Sequence, residues 1–135
     1  MKILLAKDAG YCFGVRDAVN LAYDTAKNHG EVYMLGTIVH NEKVVDDLSK
    51  AGTKVVNNLE EVRKDKPILL RAHGTTPKVW QKAKNKNLNI IDATCPLVTE
   101  IHDEIKKLET EGRRTIIIGD HGHDEVVGIA AQVKD

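Results

Sequence analysis

Short β-branched apolar runs alternate with stretches of helical period along the whole chain, and this alternation limits the possible folds more than any other feature. The runs occupy residues 3–5, 32–35, 55–56, 68–70, 90–91 and 116–118, and each is closed by Gly, Asn, Asp or a polar turn. They predict six short strands. Between the first two, Val15, Ala18, Val19, Ala22 and Ala26 recur at three-to-four spacing until Gly30, which suits the left-handed position just past a helix end. Asn41 is placed to cap a second helix, with Val44, Val45 and Leu48 inward and Gly52 beyond its end. Thr76-Pro77 reads as a cap plus a first-turn proline ahead of Val79, Trp80 and Ala83. Val98, Ile101, Ile105 and Leu108 form a further apolar stripe, opposed by a solvated face of Glu100, Asp103, Glu104, Lys106, Lys107 and Glu109. Residues 124–132 read as the opening of another helix.

Strand and helix in strict alternation predict right-handed βαβ crossovers and parallel sheets covered on both sides. The expected class is α/β, built from repeated βα units. We expect residues 1–96 to form a first unit and residues 97–135 the start of a second, truncated one. A weak internal echo, GTIVHNEKVV at 36–45 against GDHGHDEVVG at 119–128, suggests duplicated units. With 135 residues, 41% hydrophobic and 30% charged, the chain can bury a core and is not disordered. Twenty Lys+Arg cancel twenty Asp+Glu, and one Trp, three Tyr and one Phe offer few stacking platforms, so nucleic acid is not an expected partner. The four apolar residues before Lys7 are too few for a signal-peptide core and no later stretch approaches a membrane span, which predicts a cytoplasmic protein without membrane contact.

In parallel α/β sheets, ligands gather at the carboxyl ends of strands, where backbone N–H groups at helix starts face anions. Chemically able residues fall there: Cys12 after the first run, His40 after the second, His73 after the fourth, Cys95 after the fifth, and His121 and His123 after the sixth. His29, at a helix end, and His102, within a helix, read as structural or solvent-exposed. Cys12 lies in GYCFG and Cys95 in DATCP. Each thiol reads either as a small buried hydrophobe or as a metal ligand favoured by a helix N-terminus. Neither belongs to a C-x-x-C pair, so a structural zinc site has little support. His40, His73 and His123 could ring a phosphate with imidazole donors, and Glu125 could transfer a proton if partly desolvated. A non-catalytic anion-binding module and a zinc-binding Cys/His domain remain alternatives.

GYCFGVRDAV, the His40-Asn41 helix start with Val44-Val45, RAHGTTP, DATCPLVTEIH and GHDEVVG, in this order and spacing, resemble the 4-hydroxy-3-methylbut-2-enyl diphosphate reductase family. These are iron-sulfur enzymes that close the non-mevalonate isoprenoid pathway. The likeness runs from residue 3 to the end. It implies three similar α/β units around a [4Fe-4S] cluster held by three cysteines, with one iron open to substrate. Cys12 and Cys95 match the first two ligands. The family's diphosphate-holding histidines fall on His40, His73 and His123, its proton-delivering glutamate falls on Glu125, and His121 has no counterpart. The third cysteine, a later threonine and a Ser-x-Asn segment are not among these residues, so the chain is expected to be inactive alone. The implied reaction is reductive dehydroxylation of an allylic diphosphate to isopentenyl and dimethylallyl diphosphates. Ferredoxin or flavodoxin would donate the electrons, since no nicotinamide-binding G-x-G-x-x-G is present.

Overall fold

The strands that form are β1 (Val32–Leu35), β2 (Thr53–Val56), β3 (Pro67–Leu70) and β4 (Asn89–Asp92), which pair in parallel in the order β2-β1-β3-β4. The computed structural model describes residues 1–7 and 9–134. Its helices are α1 (Phe13–His29), α2 (Glu42–Lys50), α3 (Pro77–Asn85), α4 (Pro96–Thr110) and α5 (Asp124–Ala130). None of them is long and apolar enough to cross a membrane.

The central strands are buried on both faces, as parallel strands under helices must be. Val32, Met34 and Leu69 face α1 and α2, where Ala18, Ala22 and Ala26 let α1 approach closely and Val44 and Leu48 fill the space beside it. Tyr33, Ile68 and Val56 face the other way, against Ala83 and Val79 of α3 and against Leu59, Val62 and Leu88. Burying one such large side chain contributes about 1.5–3 kcal/mol. Because α2 leads from β1 to one side and α3 leads from β3 to the other, right-handed crossovers put the two helices on opposite faces. The strand order therefore reverses between β1 and β3, and the crevice beyond their carboxyl ends is where ligands of such sheets bind.

The local signals behave as their chemistry requires. Asn41 Oδ1 accepts from the Val44 N–H at 3.2 Å, Thr76 Oγ1 accepts from the Val79 N–H at 3.3 Å, and Gly30 ends α1 at φ 74°. Two of the six expected strands do not form. Residues 3–5 and 116–118 lie outside any strand, and Ile3, Leu5, Ile116 and Ile118 are largely exposed. An apolar run becomes a strand only when a neighbour satisfies its backbone groups, and among the described residues the sheet ends at β2 and β4. The stripe on α4 is also rotated from its expected position. His102 and Ile105 are buried while Ile101 is 45% exposed. The His102 ring fills the place a side chain at residue 74 would need: a Cβ on Gly74, which sits at φ 76°, would lie 2.8 Å from His102 Cε1.

Candidate functional site

Backbone pairing continues beyond the strands at the carboxyl edge. The Ala93 N–H donates to the Leu70 carbonyl at 3.0 Å, the Ala72 N–H to Ile38 at 3.3 Å and the Cys95 N–H to Ala72 at 2.9 Å. Ala72 thus joins the loops after β1, β3 and β4 in one row. His40 lies two residues past Ile38 and His73 one past Ala72, so the row holds both histidines at the β1/β3 crevice. Their rings stack with centroids 4.1 Å apart at 26°.

A third imidazole arrives from α5. His123 is the N-cap of that helix, and the centroid of its ring lies 5.4 Å from that of His40. Its Nδ1 accepts from the Glu125 N–H at 3.3 Å. In the neutral ring this bond leaves the proton on Nε2, so His123 presents an N–H donor away from the helix. Asp124, next in sequence, is gripped by Arg71 at 2.5 Å between Nη1 and Oδ2. Glu125 is half-buried on the same turn.

The electrostatics follow from this packing. Burial pushes the His73 pKa below the ordinary imidazole value and the neighbouring His40 adds to the effect, while Glu125 pulls the other way. His73 is accordingly a neutral imidazole near pH 7, and its Nδ1 is buried without a partner. His102 is also held low by burial, with Lys106 adding to it. The structure brings together His40, His73, His123 and Glu125. It leaves His121 and His29 exposed outside the cluster, and it buries His102 beneath α5 as a packing residue. His40 also lines a cavity of about 690 Å³ with Val45, Ser49 and Thr53, but His73 and His123 are not part of its wall.

The thiols occupy equivalent helix positions. Cys12 is the N-cap of α1 and Cys95 the N-cap of α4, neither caps through its side chain, and both are free. Cys12 is exposed, so the buried-hydrophobe reading fails for it. A Cβ on Gly14 would collide with Sγ of Cys95. The Cys95 thiol therefore rests on the turn that Cys12 opens, and the starts of α1 and α4 meet. The described residues with metal-ligand spacing are His40, His73 and Asp124, whose donor atoms all lie within 4.8 Å of one another. That group contains no cysteine, and its Asp124 is already engaged by Arg71.

Neither Arg71 nor Asp124 stands out in the sequence. The only signal is that each opposite charge lies within two residues of a loop histidine, in RAHG and in GHDE.

A profile described as "LytB protein" matches residues 3–135. The chain is 40% identical over 134 residues to the 4-hydroxy-3-methylbut-2-enyl diphosphate reductase of Geobacter metallireducens, covering 99% of this chain and 47% of that one. To the enzyme of the same name from Clostridioides difficile it is 38% identical over 130 residues, covering 96% and 47% respectively. The solved structure of the E-1-hydroxy-2-methyl-but-2-enyl-4-diphosphate reductase from Plasmodium falciparum superposes with a TM-score of 0.90 at 33% identity, over 93% of this chain and 40% of that one. The chain thus spans less than half the length of these relatives. The family match over residues 3–135, on a fold that superposes on a solved member, establishes that the chain belongs to the LytB protein family.

Proposed function

We propose that this chain supplies the substrate-anchoring and proton-delivering part of a 4-hydroxy-3-methylbut-2-enyl diphosphate reductase. The convergence of His40, His73 and His123 from separate loops onto the β1/β3 crevice carries this reading. A diphosphate needs several donors aimed at one place, and imidazole N–H groups supply them without the strong hydration of a lysine. His73, kept neutral by burial, donates one hydrogen bond rather than a fixed positive charge. His123 offers its Nε2–H because Nδ1 is engaged by the helix. The family's iron-sulfur chemistry fits the thiols, which are free, uncommitted to capping, and at the starts of two helices that touch. Cys12 and Cys95 would be the ligands that this chain contributes to a [4Fe-4S] cluster, which when bound supplies electrons and a Lewis-acidic site that side chains lack.

Glu125, on the turn that carries His123, is the carboxyl group that hands a proton to the departing hydroxyl. Its half-buried place beside the imidazoles sets its carboxyl group where the substrate hydroxyl would lie. The substrate is an allylic diphosphate. The electrons come from ferredoxin or flavodoxin, and residues 1–96 and 97–135 belong to successive α/β units of the enzyme.

The test uses the complete enzyme carrying this sequence. Asn at position 40, 73 or 123 should raise KM, while Glu125→Gln should leave iron content and KM unchanged and lower kcat by about a hundredfold or more. Unchanged KM in all three histidine variants would refute the diphosphate assignment, and near-normal turnover in Glu125→Gln would remove that residue from proton delivery.

A further inference from the structure

We infer that Arg71 and Asp124 are a positioning pair that seats α5, and with it His123 and Glu125, over the histidines of the sheet edge. The inference rests on the proposed function only for what His123 and Glu125 do once they are seated. α5 has seven residues and follows a segment outside any strand, so little within it fixes its place. It packs on α4, and its far end is tied by Gln132, whose Nε2 donates to the Thr75 carbonyl at 3.4 Å. At the end that carries the chemistry, the link to the sheet is Arg71 Nη1 to Asp124 Oδ2 at 2.5 Å, spanning 53 residues.

The flanking residues are shaped for this contact. Gly36, at φ 71°, lies where a Cβ would approach Arg71 Nη1 to 2.8 Å, so the turn after β1 leaves room for the guanidinium. Gly128 of α5 is buried, and a Cβ there would meet His102 Nε2 and the His73 carbonyl at 3.7 Å each. Helix α5 therefore lies close over the His73 loop, and the ion pair sets how far it slides along that loop. Both partners are largely shielded, with side chains 23% and 31% exposed, so the attraction is less screened than in a surface pair. Asp124 lies between His123 and Glu125, and Arg71 lies two residues before His73. One bond thus couples the halves of the cluster.

Neither residue is assigned contact with substrate. They act through His123 and Glu125, and that indirect role separates the outcomes of the test. In the complete enzyme, Asp124→Asn and Arg71→Met should each speed hydrogen exchange at the amides of residues 126–129 and raise KM about tenfold, the lower range for losing a charge-assisted bond. kcat should fall as well, because Glu125 moves with the helix. The double variant should be no worse than either single one, and Arg71→Lys, which keeps the charge, should recover most of the loss. Unchanged exchange in α5, or a double variant whose KM rises by the product of the single effects, overturns the inference. Faster exchange with unchanged KM would leave the clamp standing and overturn the assignment of His123 to the diphosphate.

Discussion

Gly14→Ala gives the most direct test of how the thiols are arranged. Gly14 is the second residue of α1 and its backbone is helical, so alanine gains helix propensity, up to about 1 kcal/mol in a helix interior. Against that gain, the new methyl would overlap Cys95 Sγ and lie 3.1 Å from Cys95 Cβ. Overpacking of this kind costs about 1–3 kcal/mol when the surroundings cannot yield. Here the obstructing atom ends a short side chain, and rotation to another staggered well relieves the overlap by carrying the sulfur about 3 Å away. The net stability change should therefore be small, roughly 0–2 kcal/mol destabilising, while the thiol no longer points where α1 and α4 meet. Two measurements separate these effects. The thermal unfolding midpoint should fall by no more than about 8 °C, whereas iron bound after anaerobic reconstitution of the complete enzyme should fall severalfold. In a Cys95→Ala background the overlap with sulfur is absent, and the same change should be neutral or stabilising by up to about 1 kcal/mol. Wild-type iron loading in Gly14→Ala, or equal destabilisation in both backgrounds, would refute the argument that glycine is there to admit the sulfur.

Further outcomes follow from the caps and the buried imidazoles. Asn41→Ala removes the acceptor for the Val44 N–H and should cost about 1 kcal/mol, seen as a Tm lower by several degrees; an unchanged Tm would mean the cap contributes nothing. His73 has its pKa lowered in the fold, so its contribution to stability is fully present above the ordinary value of 6.5 and is lost as pH falls through the lower folded value. Denaturant unfolding from pH 8 to pH 5 should therefore weaken for the wild type, and His73→Gln should flatten part of that slope, the rest belonging to His102, which shifts the same way; an identical slope in His73→Gln would contradict its burial as a neutral ring.

What could be read in the sequence was local. Asn41, Thr76-Pro77 and Gly30 announce helix boundaries because each satisfies or avoids a backbone constraint within a few residues of itself. The runs at 32–35, 68–70 and 116–118 look alike in composition, yet the first two are strands and the third is not. Strand formation depends on a partner elsewhere, and apolar content carries no information about that partner. The stripe on α4 misplaces Ile101 and His102 for a related reason: which side of the helix faces inward was decided by Gly74, a neighbour distant in sequence whose missing side chain the His102 ring replaces. The echo between the HNE and HDE segments was also only partly informative. Asn41 caps α2 through its own side chain, whereas at the second copy the cap moves back one residue to His123. That shift frees Asp124 for Arg71, a pairing no local pattern could reveal.

The row of backbone bonds at Ala72 also bears on how the proposed site would respond to its ligands. Ala72 accepts from Cys95 and donates to Ile38, so the loop bearing His40 and the helix start bearing Cys95 are both held by one residue, through the peptide units on either side of its Cα. Movement of Cys95 toward a bound group would pull on the Ala72 carbonyl and carry the adjacent His73 with it, whereas a diphosphate drawing on His40 and His73 would act on the same residue from the other side. The imidazoles and thiols also differ in how they are placed. The His40 and His73 rings stack 4.1 Å apart at the sheet edge, while the cysteines are the N-cap residues of α1 and α4. The histidines along the sheet edge and the cysteines at helix starts thus share one layer of loops, with the single residue Ala72 joining His40's loop, His73 and Cys95.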